Sequence, residues 1–250
     1  MDEIFQIGLI GFPVEHSNSP KIFQQFFDQL NLSNWEYQLF PTETLTHIES
    51  FLSNHPRLIG FNVTIPHKIT IFPFLSQISP EAKSIGAVNT VKILRENDRI
   101  YLEGHNTDYF GFEESLKKLP RKPNSALILG DGGAAKSVKA VLKDYKIPFL
   151  SVSRNPSETQ LNYSDLENLD WNSTDLLIQT TPLGMWPKVD QLPNLPYHLI
   201  ASKTMAIDLI YNPKQTLFLK KLESQNCFCL NGELMLQKQA EKAWEIFYTP

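Results

Sequence analysis

Short apolar runs alternate with amphipathic stretches along most of this chain. EIFQIGLIGFP (3–13) reads as a buried strand, and Pro20 opens a helix through about Leu30 with Ser19 as its cap. WEYQLFP (35–41) reads as a strand, residues 42–54 as a helix, and RLIGFNV (57–63) as a third strand. Residues 88–94 and 99–103 predict a hairpin around REND. The alternation predicts an α/β fold, a mostly parallel sheet with helices on its faces.

A helix is expected from Asp108 to about Leu119, followed by the breaker-rich connection PRKPNS (120–125). Alternation then begins again: strand ALILG (126–130), a helix from Gly133, and strands FLSVS (149–153), DLLIQ (175–179) and MAIDLI (205–210). In the last segment, Leu236, Ala240, Ala243, Trp244 and Phe247 recur at helical spacing. Two α/β units are therefore expected.

Composition narrows the partners. With 23 basic against 27 acidic residues the formal charge is −4, without a dense basic run, which argues against nucleic acid or an anionic membrane. No apolar stretch reaches bilayer length. Met1-Asp2-Glu3 is acidic and runs into a strand-like stretch, unlike a secretory leader. Cys227 and Cys229 alternate on one strand face, where a bridge between them would be strained, so reduced buried thiols and a cytoplasmic setting are expected. His16, His67 and His105 have no ligand-spaced partners, and no metal is expected.

One stretch carries more specific chemistry. ALILGDGGAAKSVKAVL (126–142) is a strand, a glycine turn and a helix, and Gly130-x-Gly132-x-x-Ala135 fits the dinucleotide-binding pattern. Glycines allow the tight turn and close backbone approach, and the helix amino end faces a pyrophosphate. The next strand ends at Ser153-Arg154-Asn155 instead of the carboxylate that NAD sites place on the ribose. Arginine there suits a 2′-phosphate, which points to NADP. Asp131 inside the loop would repel phosphate, with Lys136 as the cation to offset it.

The motifs GFPVEHSNSP (11–20), NVTIPHK (62–68), GAVNTV (86–91), GHNTDYFG (104–111), GDGGAAKS (130–137), TTPLGM (180–185), DLIYNP (208–213) and NGELMLQKQA (231–240) occur in this order. Together they resemble the shikimate dehydrogenase (shikimate/quinate dehydrogenase) family over nearly the whole chain. The resemblance implies a substrate domain of residues 1–105 plus 232–250, a Rossmann-like NADP domain of residues 106–231, and a cleft that holds the site. It implies NADP-dependent interconversion of 3-dehydroshikimate and shikimate in aromatic amino acid biosynthesis, by a monomer or homodimer. The alternatives are a quinate/shikimate paralogue using NAD, and an idle shikimate-binding protein on the same scaffold.

By the same resemblance, Lys68 and Asp108 form the proton-transfer pair; read alone, they are surface charges or, for Asp108, a helix cap. Ser17 and Ser19 hold the substrate carboxylate, and Asn62, Thr64, Asn89, Tyr211 and Gln239 match further substrate contacts. Gly130, Gly132, Gly133, Ala134, Ala135, Ser153, Arg154, Thr180, Met185 and Gly232 match cofactor positions. Gln179 stands where the family usually has asparagine, and Phe23-Gln24 replaces a His-Asn pair.

Overall fold

Strand β1 (Phe5–Gly11) is flanked in parallel by β2 (Trp35–Pro41) and by β3 (Leu58–Val63). The structure, a computed structural model, describes residues 4–249, so the reading of Met1-Asp2-Glu3 lies outside the described residues. Helix α1 (Ser19–Gln29) joins β1 to β2, and α2 (Ile48–Asn54) joins β2 to β3. After β3 come α3 (His67–Thr70), the two-residue strand β4 (Gln77–Ile78) and α4 (Pro80–Ile85). The hairpin β5 (Thr90–Glu96) and β6 (Arg99–His105) completes a sheet of order β2-β1-β3-β5-β6-β4. Pairing is parallel except at β3–β5 and β5–β6.

Helix α5 (Asp108–Leu116) leads into the second sheet. That sheet contains β7 (Ala126–Leu129), β8 (Phe149–Val152), β9 (Leu176–Gln179), β10 (Met205–Asp208) and β11 (Phe228–Leu230). All its pairings are parallel, in the order β11-β10-β9-β7-β8. Helix α6 (Gly133–Asp144) links β7 to β8, and α7 (Leu217–Glu223) links β10 to β11. The last helix, α8 (Glu233–Tyr248), returns to the first unit. One compact unit comprises the chain up to Phe110 and from Gln237 onward; the other spans Gly111–Leu236.

The first unit has two cores. Ile10, Leu58, Phe61, Val63, Val88 and Val91 fill one side of its sheet. On the other, Ile7, Phe23 and Phe27 pack with Ala240, Ala243, Trp244 and Phe247 of α8. Phe23 stacks on Tyr37 with ring centres 4.4 Å apart, so its ring serves packing. In the second unit, Leu127, Leu129, Leu177, Ala206 and Phe218 form the centre, with both cysteines against it. Both thiols are free, and burial pushes the Cys229 thiol up to about 12. Protonated thiols at neutral pH are poor nucleophiles and metal ligands.

Two local expectations are corrected. Helix α2 begins at Ile48 rather than near residue 42, because the preceding residues close a turn in which the Ile48 N–H reaches the Leu45 carbonyl. Ser19 is the first helical residue, not the cap; Asn18 holds the cap position, and the Ser19 N–H is taken by the Ser17 hydroxyl.

Candidate functional site

The carboxyl ends of β1 and β3, the start of β5 and the end of β6 meet along one edge of the first sheet. Leu9 lies opposite Asn62, Asn62 opposite Thr90, and Thr90 opposite His105. The antiparallel hairpin thus brings Asn89 and Thr107, eighteen residues apart, into hydrogen-bond contact. Just beyond β3, Pro66 precedes α3, and the Lys68 carbonyl accepts the Val88 N–H at 2.8 Å. Lys68 is thereby anchored at this edge, and its ammonium forms an ion pair with Asp108.

Their side chains are 15% and 6% exposed, so this is no solvated surface pair. Asp108 does not spend its carboxylate on capping α5. That task falls to Asn106, whose Oδ1 accepts the Tyr109 N–H at 3.0 Å. Asp108 Oδ2 faces Lys68, and Oδ1 accepts from Asn89 Nδ2 at 2.9 Å. Asn89 in turn takes the Thr107 N–H on its Oδ1 at 2.6 Å and lies 3.4 Å from Gln239 Oε1. An ammonium beside a carboxylate whose other oxygen is already hydrogen-bonded is a fixed acid–base pair, able to exchange a proton with a hydroxyl placed against it.

Of the other predicted residues in this unit, Ser17 donates to the Ser19 hydroxyl at 3.1 Å, at the start of α1. Thr64 follows β3 directly, with its N–H on the Ile10 carbonyl at 2.9 Å. His67 is buried and bonded to the Thr42 carbonyl at 2.7 Å, a structural role. Lys68, Asn89, Asp108 and Gln239 form one cluster; Ser17 with Ser19 forms another, and Tyr211 belongs to the second unit.

In the second unit, the glycine turn joins β7 to α6, with β8 and β9 on opposite sides of β7. Crossovers that leave a parallel sheet in opposite directions open a crevice at such a switch point. Gly130 has φ +112°, and a Cβ there would lie 2.6 Å from the Thr180 hydroxyl. At Gly132 a Cβ would meet no atom within 4 Å. The first glycine is demanded by the fold, whereas the space beside the second is open for a pyrophosphate. Gly133, Ala134 and Ala135 form the first turn of α6, and Ala135 is fully buried. These residues fit a dinucleotide.

Asp131 pairs with Lys139, not primarily with Lys136. Burial works against its charge, but Lys139, Gln160 and Lys136 together hold the carboxyl below its usual range. Ser153 closes β8 with its N–H on the Leu161 carbonyl, and Arg154 is exposed beyond it. Thr180 donates to the Leu129 carbonyl at 2.7 Å. Gln179, fully buried, holds the loop toward Met185: its Oε1 accepts from Thr181 and its Nε2 donates to the Leu183 carbonyl. Gly232 is required by close approach, since a Cβ would sit 2.1 Å from the Leu209 carbonyl oxygen.

Three residues of the first unit escaped sequence reasoning. Thr90, Thr107 and Tyr37 all bond to the predicted site residues, with Tyr37 donating to Asn62 Oδ1 at 2.9 Å. Thr90 and Thr107 lie inside the quoted motifs GAVNTV and GHNTDYFG, and that was the available signal. Among the described residues there is no group of three potential metal ligands, and no helix is long and apolar enough to cross a membrane.

A buried lysine–carboxylate pair in one α/β unit and a dinucleotide turn in another, Rossmann-like unit define a nicotinamide-nucleotide-dependent oxidoreductase. The family model "Shikimate dehydrogenase substrate binding domain" matches residues 9–91. A shikimate dehydrogenase (NADP(+)) of Desulforamulus reducens is 36% identical over 96% of this chain and 88% of its own. Two solved structures are similar throughout. One is a chorismate mutase/shikimate 5-dehydrogenase fusion protein from Clostridium acetobutylicum (TM-score 0.86, 34% identity, 99% of this chain and 92% of that one). The other is the shikimate 5-dehydrogenase from Thermus thermophilus in complex with NADP(H) and shikimate (TM-score 0.82, 29% identity, 98% and 94%). The chain belongs to the shikimate dehydrogenase family.

Proposed function

We propose that this chain catalyses the reversible NADP-dependent reduction of 3-dehydroshikimate to shikimate in aromatic amino acid biosynthesis. The observation that carries the reading is the sequestered Lys68–Asp108 pair, with Asn89 locked onto the carboxylate. NADP supplies the hydride acceptor and donor. In the oxidative direction the Lys68–Asp108 pair takes the hydroxyl proton as the carbon loses hydride; in reduction it returns a proton to the carbonyl oxygen. Ser17 and Ser19 hold the substrate carboxylate, and Thr64, Asn89, Tyr211 and Gln239 bond its hydroxyls. Such directional contacts are what reject near-analogues.

Gly130, Gly132, Gly133, Ala134 and Ala135 would hold the pyrophosphate, Ser153 and Arg154 the 2′-phosphate, and Thr180, Met185 and Gly232 the nicotinamide side. The first unit is then the substrate domain and the second the NADP domain. The pairing of Asp131 with Lys139 removes much of the repulsion its carboxylate would exert on a bound pyrophosphate. Two free cysteines fit a cytoplasmic enzyme, which works as a monomer or homodimer.

The test is a spectrophotometric assay of purified protein with shikimate or quinate and with NADP⁺ or NAD⁺. Reduced-nicotinamide absorbance should rise fastest with shikimate and NADP⁺. No rise with any pair would leave only the idle binding protein, and a preference for NAD⁺ would overturn the cofactor assignment.

A further inference from the structure

The alternation of strands puts Tyr37, Ile7, Gly60 and Asn62 on one face of the first sheet, the face covered by Phe23, Trp244 and Phe247. A polar row is expensive on such a face unless every member is bonded. The row is bonded, and with a consistent direction. The Tyr37 hydroxyl donates to Asn62 Oδ1 at 2.9 Å. That turns Asn62 Nδ2 toward the Thr90 hydroxyl, which accepts at 3.1 Å, with the Asn89 carbonyl at 3.4 Å. Having accepted from Asn62, Thr90 has its own hydrogen for Asn89 Oδ1 at 3.3 Å or for the Thr107 hydroxyl at 3.2 Å, and Thr107 donates to the same Asn89 oxygen at 3.3 Å. The Thr107 N–H reaches the same oxygen at 2.6 Å. An amide oxygen that receives these donors leaves its nitrogen facing the other way, toward Asp108 Oδ1 at 2.9 Å.

We infer that Tyr37, Asn62 and Thr90 are positioning residues for the proton-transfer pair: they form a donor chain that, directly or through Thr107, supports the amide of Asn89, which in turn holds the Asp108 carboxylate toward Lys68. Asn62 therefore acts on the pair through Thr90 and Asn89. It is 5% exposed, and both ends of its amide are engaged within the sheet. Thr90 is fully buried, so its hydroxyl serves only groups inside the protein, and both of its onward partners, Asn89 and Thr107, lie beside Asp108. Bonds in series polarise one another, so a cut at Tyr37 or Thr90 is felt at the far end.

This inference rests on the reading of Lys68 and Asp108 as the reacting pair, and the experiment separates the two. Thr90→Val removes the central hydroxyl at nearly constant shape, Thr90→Ser restores it, and Tyr37→Phe cuts the first donor should the valine variant fail to fold. The expected result is a roughly 3- to 30-fold fall in kcat for Thr90→Val and a smaller one for Tyr37→Phe. Shikimate Kd should change far less than kcat, the acidic limb of the kcat–pH profile should move toward neutral, and Thr90→Ser should recover kcat and the profile. A purely structural role would lower Tm and leave the profile in place. Wild-type kcat and profile in Tyr37→Phe and Thr90→Val, beside an inactive Lys68→Ala, would sink the chain while sparing the pair. A weakened shikimate Kd at unchanged kcat would instead overturn the chain as a device of proton transfer and make it one of substrate binding. An active Lys68→Ala would remove the pair and the chain with it.

Discussion

Lys68 and Asp108, forty residues apart in sequence, meet as an ion pair whose carboxylate is held from its other side by Asn89. The pair is compact and shielded, and a proton exchanged there need not pass through bulk water. Lys68→Ala should lower kcat by about 10²- to 10⁴-fold while changing the shikimate KM only severalfold. Steady-state kinetics check this; equal changes in both constants would make Lys68 chiefly a binding group.

The two glycines of the turn should part company on substitution. Gly130→Ala forces a side chain into φ +112° against the Thr180 hydroxyl, and should cost roughly 1–3 kcal/mol of stability in denaturant melts. Gly132→Ala meets nothing within 4 Å, so stability should stay within about 1 kcal/mol of wild type. The NADP⁺ KM should nevertheless rise about tenfold or more, because the methyl fills the space beside the turn.

Arg154 is exposed beyond β8, and the proposed reading sets it against a 2′-phosphate. Loss of a charge-assisted hydrogen-bonded pair costs about 1.5–3 kcal/mol. Arg154→Ala should thus cut kcat/KM for NADP⁺ by roughly 10- to 100-fold and leave the slower NAD⁺ reaction nearly unchanged. An equal loss with both cofactors would show that the guanidinium supports the fold instead.

Asp208 closes β10 with no exposed surface, accepting from the Thr216 hydroxyl at 2.6 Å and the Ile210 N–H at 3.0 Å. Burial outweighs both bonds and pushes its pKa up to about 7. The folded protein therefore binds a proton that the unfolded chain releases near pH 4, so this contribution is full below about pH 4 and fades as pH rises to about 7. Asp208→Asn should remove that slope. Measured by urea unfolding, its stability relative to wild type should improve by roughly 2–4 kcal/mol between these limits.

Strand and helix order was legible because buried parallel strands such as LIGFNV and ALIL are nearly continuous apolar runs. The two-residue strand β4 carries too short a pattern to be read. Helix α1 started one position from its expected cap because Ser17, not Ser19, supplies the oxygen. Lys68 and Asp108 were found through their motifs; no spacing in the sequence foretells that Asn106 would cap α5 and leave Asp108 its carboxylate. The bonds from Tyr37 to Thr90 depend on the register of β2, β1, β3 and β5 together, and only the folded sheet assembles them.

The return of α8 has a consequence for how the chain is made. Ile7, Phe23 and Phe27 finish their packing only against Trp244 and Phe247, and the Phe247 ring lies directly over Gly60. On the ribosome that half of the sheet emerges early and, with only α1 upon it, lacks its α8 cover while residues 111–236 are synthesised. At typical elongation speeds the gap lasts on the order of ten seconds. In that interval the nascent chain presents a greasy, unclosed surface, and it is then, more than at any later time, that a chaperone or a neighbouring ribosome's product would find it.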